Sequence, residues 1–407
     1  MANSFQTISN GLAELKNYYQ GPIVDLINEN VPVYRAAEKV KQGWSGYQVV
    51  RPVRTNRNQG IGATTDGGSL PSIGRQTVAQ ALISSKFLYL RFGVTGPMIK
   101  ASQSDVGSFV RSASYELKQG YEDLKNDVNR QLAWDGTCAL ALVNTAPVAS
   151  TTLVIKGRET NDPALRFVDV GGVYDIITSG GTYKAQGVTV SAITSGTASS
   201  TTATLTLDQP VTAAVGDYII RTGTWGNELQ GLGYALDGGT STVYNINRST
   251  AISFQGNYTD AASAQLTLDS MQNVYNEGLR RGNVGHYNAV FTDFSGLRFY
   301  QKLLTPDKRY VNSVEGDGSF GKEGKFYLEF NGTPVVPDKD MSQSFYFLPA
   351  EVLKMYVLSE MEFADETGSM YIAQTDADSF EVRIRFFVNL FNEQPSACAR
   401  LKGYISP

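Results

Sequence analysis

One histidine and two cysteines in 407 residues narrow the chemistry open to this chain. A Ser-His-Asp relay would have to use His286, in Gly282-Asn283-Val284-Gly285-His286, and that context reads as a loop histidine. A zinc site needs more ligands than His286 and the distant Cys138 and Cys398 supply, so no metal is expected. The cysteines form no CxxC and imply no disulfide framework. No run of about 18 apolar residues exists, so no membrane span is read. Met1-Ala2-Asn3-Ser4-Phe5 lacks the charged and apolar regions of a signal peptide, which points to use in a cytosol. The sequons at Asn247, Asn257 and Asn331 then carry no meaning.

Phosphate and carboxylate motifs are equally scarce. Gly60-Ile61-Gly62-Ala63-Thr64-Thr65 lacks the third glycine and the following helix of a nucleotide loop, and reads as a hairpin tip. Glu315-Gly316-Asp317-Gly318 lacks the spacing of a calcium loop and reads as an acidic turn. Glu360 and Glu362 flank Met361 as a carboxylate pair for glycoside cleavage would, yet such adjacency is ordinary among 39 acids. No catalytic residue and no cofactor is expected.

What is present is bulk and asymmetry. The length implies two to four domains. The 22 tyrosines and 19 phenylalanines offer ample apolar surface for cores and interfaces. Residues 31–100 hold ten basic side chains (Arg35, Lys39, Lys41, Arg51, Arg54, Arg57, Arg75, Lys86, Arg91, Lys100) and two acids, Glu38 and Asp66. That segment is +8, which leaves −12 for the rest of a chain of net charge −4. A basic arm on an acidic body suits pairing between copies. A solvated basic hairpin and a nucleic-acid contact stay open as alternatives, the latter without any recognised reading motif.

Residues 1–45 read as an arm, with short helical patterns (Ile8, Leu12, Leu15; Ile23, Leu26, Ile27) broken by Pro22 and Pro32. Residues 46–98 read as an extended hairpin. Its β-patterned runs, Tyr47–Arg54 and Thr77–Val94, flank a glycine-rich stretch. Tyr47, Val49 and Val53 share one face of the first run; Leu82, Leu88, Leu90, Phe92 and Val94 share one face of the second. An 18-residue run spans roughly 60 Å when extended. A two-stranded hairpin is barely stable alone, so this limb is expected to leave the body and lie on a neighbour. Arg51, Arg54, Arg57, Arg75, Lys86 and Arg91 are the candidate inter-subunit contacts.

Residues 99–147 begin with a helix over Ser104–Asp135, marked by Val106, Phe109, Val110, Ala113, Leu117, Leu124, Val128 and Leu132, with Gly120 as a weak point. Residues 148–226, rich in Thr, Ser, Gly and Val, predict a small all-β module with a hairpin loop over Thr194–Thr202. Residues 227–350 read as an α+β domain. Tyr244–Phe254 is expected extended, Thr267–Arg281 and Asp293–Leu304 helical, and Tyr287–Phe291 a strand. In 351–407 the residues Phe380, Val382, Ile384, Phe386, Val388 and Leu390 alternate with Glu381, Arg383, Arg385, Phe387 and Asn389, a strand with one core face. Cys398–Tyr404 is expected to pair with it.

This α+β order resembles the major capsid proteins of tailed bacteriophages, the HK-ninety-seven-like fold. So do three stretches: Leu266–Gln272, Phe299–Asp307, and Asp127–Leu132 followed by Trp134-Asp135-Gly136. The resemblance implies an N-terminal arm (1–45), an extended loop (46–98), a spine helix opening the peripheral domain (99–147), an axial domain (227–350) and return strands (351–407). The β-rich domain at 148–226 would be an insertion. It further implies a non-enzymatic shell subunit, forming hexamers and pentamers of an icosahedral virion around double-stranded DNA. The implied partners are a separate scaffolding protein, a portal and a decoration protein, with assembly in a bacterial cytoplasm and no membrane. Some such proteins weld subunits through a Lys–Asn bond at the extended loop. No lysine lies between Arg51 and Gln76 here, so a non-covalent shell is expected. The rival readings are an encapsulin-type compartment and a carbohydrate-active enzyme with a β accessory module.

Overall fold

A computed structural model describes residues 32–95 except 42, 43, 45 and 47; 106–304 except 160, 198, 240 and 283; 328–364 except 351; and 371–407 except 374–377. The helical patterns expected before residue 32 and the acidic turn at Glu315–Gly318 lie outside these residues.

The described chain opens with a short helix, α1 (Pro32–Ala36), and strand β1 (Glu38–Val40). Pro32 starts this helix, at a position where its missing N–H is not needed. Next come β2 (Gln48–Asn56), β3 (Thr77–Ser84), β4 (Lys86–Thr95) and the long helix α2 (Val106–Ala133). Six strands follow: β5 (Ala141–Thr145), β6 (Ser150–Lys156), β7 (Val173–Ile177), β8 (Tyr183–Ser195), β9 (Thr202–Val211) and β10 (Tyr218–Arg221). After a ribbon of β11 (Thr242–Val243) and β12 (Ile246–Asn247) come β13 (Asn257–Asp260), α3 (Leu268–Gly282), β14 (Ala289–Thr292) and α4 (Phe294–Leu304). The chain finishes with β15 (Leu328–Phe330), β16 (Thr333–Pro337), β17 (Ser344–Leu348), β18 (Leu353–Phe363), β19 (Tyr371–Ala373), β20 (Ser379–Asn392) and β21 (Ala399–Lys402).

The alternating strand read at the C-terminal end is β20, the centre of a five-stranded sheet. It pairs with β4 along one edge and with β18 and β19 along the other, and β1 adds to β18 in parallel. Its even-numbered residues Val382, Ile384, Phe386, Val388 and Leu390 are buried together with Tyr121, Leu124, Val128 and Leu132 of α2. At about 1.5 Å per residue, the 28 residues of α2 span roughly 42 Å. Gly120 is a contact point in this helix. A side chain there would sit 3.1 Å from Leu90, so the bare backbone lets β4 pack closely on it.

The second sheet has six strands in the order β13-β21-β17-β14-β16-β15. One face carries α3 and α4, whose Met271, Val274, Phe299 and Tyr300 pack on Val290, Phe345 and Phe347. The opposite face, through Phe291, Tyr346 and Leu348, joins the core around α2. Burial on both faces explains why β17 and β14 are buried at every position, with apolar residues on both faces instead of an alternation. The β-rich module is a closed barrel, ordered β10-β5-β6-β9-β8-β7, with its own core of Val143, Ile155, Ile176, Val190 and Leu205.

Four expectations are corrected. The second hairpin run is two strands. It breaks at Ser85, where the buried parity switches from odd residues (Ala81, Ile83) to an even one (Leu88). β3 pairs with β2 while β4 joins the core sheet, so Leu82 and Leu88 do not share a face and the limb is far shorter than 60 Å. The barrel begins at Ala141, ahead of residue 148, because β5 pairs with both β6 and β10. Tyr244–Phe254 is not extended: Tyr244 and Asn245 adopt positive φ (48° and 66°) and Ile252–Phe254 forms a 3-10 turn. Within Cys398–Tyr404, β21 pairs with β13 and β17 in the six-stranded sheet, not with β20.

Candidate assembly surfaces

Chemistry-bearing residues are dispersed. His286 is exposed in the loop before β14. Cys138 and Cys398 are buried free thiols, pushed by burial up to about 11 and about 12. Glu360 pairs with Lys41 at 2.7 Å and Glu362 with Arg385 at 3.0 Å, so neither is an isolated carboxylate. Among the described residues, no three His, Cys, Asp or Glu side chains are grouped to hold a metal.

The most unusual surface is the arm that grows from the β2–β3 ribbon. Its foot is docked: Val49, Ala81 and Ile83 pack against Tyr244, Phe254 and Phe391. Leu82 N–H donates to the Tyr244 carbonyl (2.9 Å), and Ser253 Oγ to the Thr55 carbonyl (2.6 Å). Beyond Asn56 the two chains leave the ladder but stay side by side. Gly74 lies against Gly60 and Asn58 with no room for a side chain, and Gly62 faces Pro71. They close in a turn at 65–68, where Gly67 has φ 73° and Gly68 N–H donates to Thr65 (2.9 Å). From Arg57 to Asp66 the arm can reach at most about 35 Å beyond the ribbon. Ile61, Leu70 and Ile73 on it are 87%, 83% and 103% exposed. Among the described residues nothing covers these three large apolar side chains, which marks an interaction surface.

The six basic candidates divide between body and arm. Arg51 donates to Glu393 at 2.6 Å, a bond that raises its basicity. Lys86 donates to the Gly226 carbonyl at 2.5 Å, its pKa lowered by burial, and Arg91 pairs with Glu381 at 2.9 Å. Among the described residues, Arg54 reaches only the Asn56 carbonyl, at 3.5 Å. Arg57 and Arg75 are exposed, with no partner among the described residues. Arg51, Arg54 and Arg57 also line a cleft of about 550 Å³ at the ribbon foot with Arg281, a residue that no sequence pattern groups with them. On the outer face of the five-stranded sheet, Phe387 meets Phe87 and Tyr89 edge-on (5.0 and 5.6 Å) in a second apolar patch.

The third feature is a buried polar joint where α2, the barrel and the six-stranded sheet meet. Arg130, 2% exposed, makes a two-pronged pair with Glu228 (2.5 and 3.1 Å) and a third bond to Asp127 (3.0 Å). Burial alone would lower its pKa, but these carboxylates hold it well above the usual arginine value. Arg221 of β10 also reaches Asp127, Arg158 reaches Asp135, and Arg400 of β21 reaches Glu159 at 2.6 Å. Trp134 Nε1–H donates to the Asp340 carbonyl at 2.7 Å. The polar residues of Asp127–Leu132 and Trp134-Asp135-Gly136 are thus largely spent fixing the barrel and second sheet against the helix. Buried ion pairs favour one arrangement over others more than they stabilise it.

No family model and no curated protein matches the chain. Among solved structures, it is similar to a subunit of the cyanophage A-1(L) capsid asymmetric unit, at 14% identity, covering 99% of this chain and 95% of that one, with a TM-score of 0.54. This chain has the fold of that capsid subunit. Lower scores of 0.48 and 0.43 relate it to the capsid of a native GTA particle (9% identity; 92% and 90% covered) and to the holo-SrpI encapsulin complex of Synechococcus elongatus (9%; 92% and 89%).

Proposed function

We propose that this protein is the major capsid protein of a tailed phage, forming hexamers and pentamers of an icosahedral shell around double-stranded DNA. The arm carries the reading: its apolar side chains and its Arg57 and Arg75 are exposed, with no cover or partner among the described residues. On a neighbour they would find apolar cover and the acidic surface of a body that is −12 outside residues 31–100. In this reading α2 is the spine helix, the five-stranded sheet belongs to the peripheral domain and the six-stranded sheet to the axial domain. The barrel is an inserted domain on the outer surface, where a decoration protein could meet it. Residues 1–45 add arm contacts; a scaffolding protein and a portal are the further partners, with assembly in the host cytoplasm. Contacts that are individually weak become strong when repeated around a closed lattice.

Expression with and without the scaffolding protein, followed by electron microscopy, tests the proposal: closed particles are expected, and only monomers in both arms would overturn it. DNA in native particles separates this reading from an encapsulin-type compartment. The shell is non-covalent in this reading, so mature particles run as a single monomer band on a denaturing gel.

A further inference from the structure

Among the described residues, two of the buried side-chain oxygens that lack a hydrogen-bond partner belong to one bonded group. They are Asp338 Oδ2 and Asn129 Oδ1, on residues 3% and 1% exposed. Asn129 Nδ2 donates to Asp338 Oδ1 (2.8 Å) and to Asp340 Oδ2 (2.7 Å), which uses both its hydrogens. Asp338 Oδ1 takes a second donor, the N–H of Asp340, at 2.9 Å. Every donor in the group is therefore committed, and two acceptors remain with none. Turning the amide over would aim its carbonyl at two carboxylates, so no reorientation cures the shortage. One added proton does. On Asp338 Oδ2 it makes that oxygen a donor, and Asn129 Oδ1 is the unfilled acceptor of the same group.

We propose that Asp338 is a buried proton-binding site that keeps its proton to higher pH than an ordinary carboxyl, with Oδ2 then donating to Asn129 Oδ1, and that the joint between α2 and the six-stranded sheet loosens when that proton is lost.

The surroundings agree. Lys339, on the same loop, is drawn to Asp340 (2.9 Å). Arg166, from the barrel, is spent on Asp162 (2.7 Å) and the carbonyls of Lys339 and Met341. From α2 come the uncharged Asn129 and Trp134, and β14 offers the Thr292 carbonyl to the Asp338 N–H (2.9 Å). No cation among these bonds to the Asp338 carboxyl. Burial, aided by the Asp340 charge, raises its pKa above the ordinary carboxylate value, against the opposing pull of its hydrogen bonds and of Lys339. The folded protein then binds this proton more tightly than the unfolded chain does. Its stabilising share is complete below the unfolded carboxylate pKa and declines as pH rises through the folded value.

The test uses the full-length protein and Asp338→Asn, whose amide copies the neutral acid by offering an N–H where Oδ2 stands. The wild-type melting midpoint should carry a falling component as pH is raised from the unfolded carboxylate value, about 4, through the folded value, and the variant should lose that part of the slope. An infrared band of a neutral carboxyl group, persisting in wild type above the pH at which ordinary carboxyls ionise, should weaken in Asp338→Asn. Should that variant not fold, Asn129→Leu removes the acceptor and should move the band to higher frequency. An unchanged pH slope in a folded Asp338→Asn, or a band that neither variant alters, overturns the proposal. So does a melting midpoint that calcium or magnesium raises in wild type but not in Asp338→Asn, because the missing partner would then be a metal ion.

Discussion

Replacing Ile61, Leu70 and Ile73 together by serine should abolish assembly while leaving the subunit intact. These side chains are 83% exposed or more in the free subunit, so their loss removes no internal packing. The cost to subunit stability should stay within about 0.5 kcal/mol. In an assembled lattice the sum differs. Full coverage of a large aliphatic side chain contributes about 1.5–3 kcal/mol, so the three together contribute about 5–9 kcal/mol per arm. At about 1.4 kcal/mol per tenfold, that is roughly three to six powers of ten in the affinity of each contact. Far-ultraviolet circular dichroism and a melting curve report the subunit. Sedimentation and electron microscopy across a concentration series report the shell. Wild-type shells at wild-type concentration would refute the reasoning, because the arm would then bury nothing on its neighbour. A subunit that unfolds would refute it differently, by showing that the arm supports its own fold.

Arg54→Glu with Arg57→Glu should block or distort shells with the subunit still folded, as seen by electron microscopy; normal shells would count against arginine pairing. Glu228→Ala leaves the buried Arg130 guanidinium with Asp127 alone and should cost about 3 kcal/mol in chemical denaturation, whereas Arg130→Met with Glu228→Leu should cost less. Acid should also open the joint. Burial alone would raise the Asp135 carboxyl, but Arg158 and Thr137 hold it well below the usual carboxylate range. Its stabilising share is present above the unfolded pKa and lost as pH falls toward the folded value. Arg158→Met should therefore reduce the fall of the melting midpoint between about pH 4 and about pH 2.

Much of the fold was legible because single elements carry their own period. The strict alternation of β20 and the helical stripes of α3 and α4 each face one layer, so local pattern and final burial agree. The break at Ser85 was hidden because Ala79, Ala81, Leu82 and Ile83 put apolar residues on both faces, and nothing local says which parity the body will take. The joint was hidden for a different reason. Asn129 and Arg130 sit on the buried half of α2 yet read as solvent-facing polar residues. Their partners Asp338, Asp340 and Glu228 are 209, 211 and 98 residues away in sequence, so no spacing rule reaches them. The arginines of the arm were visible in the charge count; their division between body and arm depended on Glu393, Glu381 and the Gly226 carbonyl, supplied by distant segments.

The closure of the barrel bears on how such a subunit can diversify. Its first and last strands are hydrogen-bonded neighbours, with Leu142 opposite Tyr218, so the chain leaves beside the point where it arrived. Every one of its strands has two partners, so no ladder edge invites another molecule to extend it. A unit with adjacent ends and a private core can be exchanged for another of similar end spacing without re-routing the plate beneath. What such a transplant would have to reproduce is small: arginines at 158, 166 and 221 to meet Asp135, the 339–341 loop and Asp127, and Glu159 to meet Arg400.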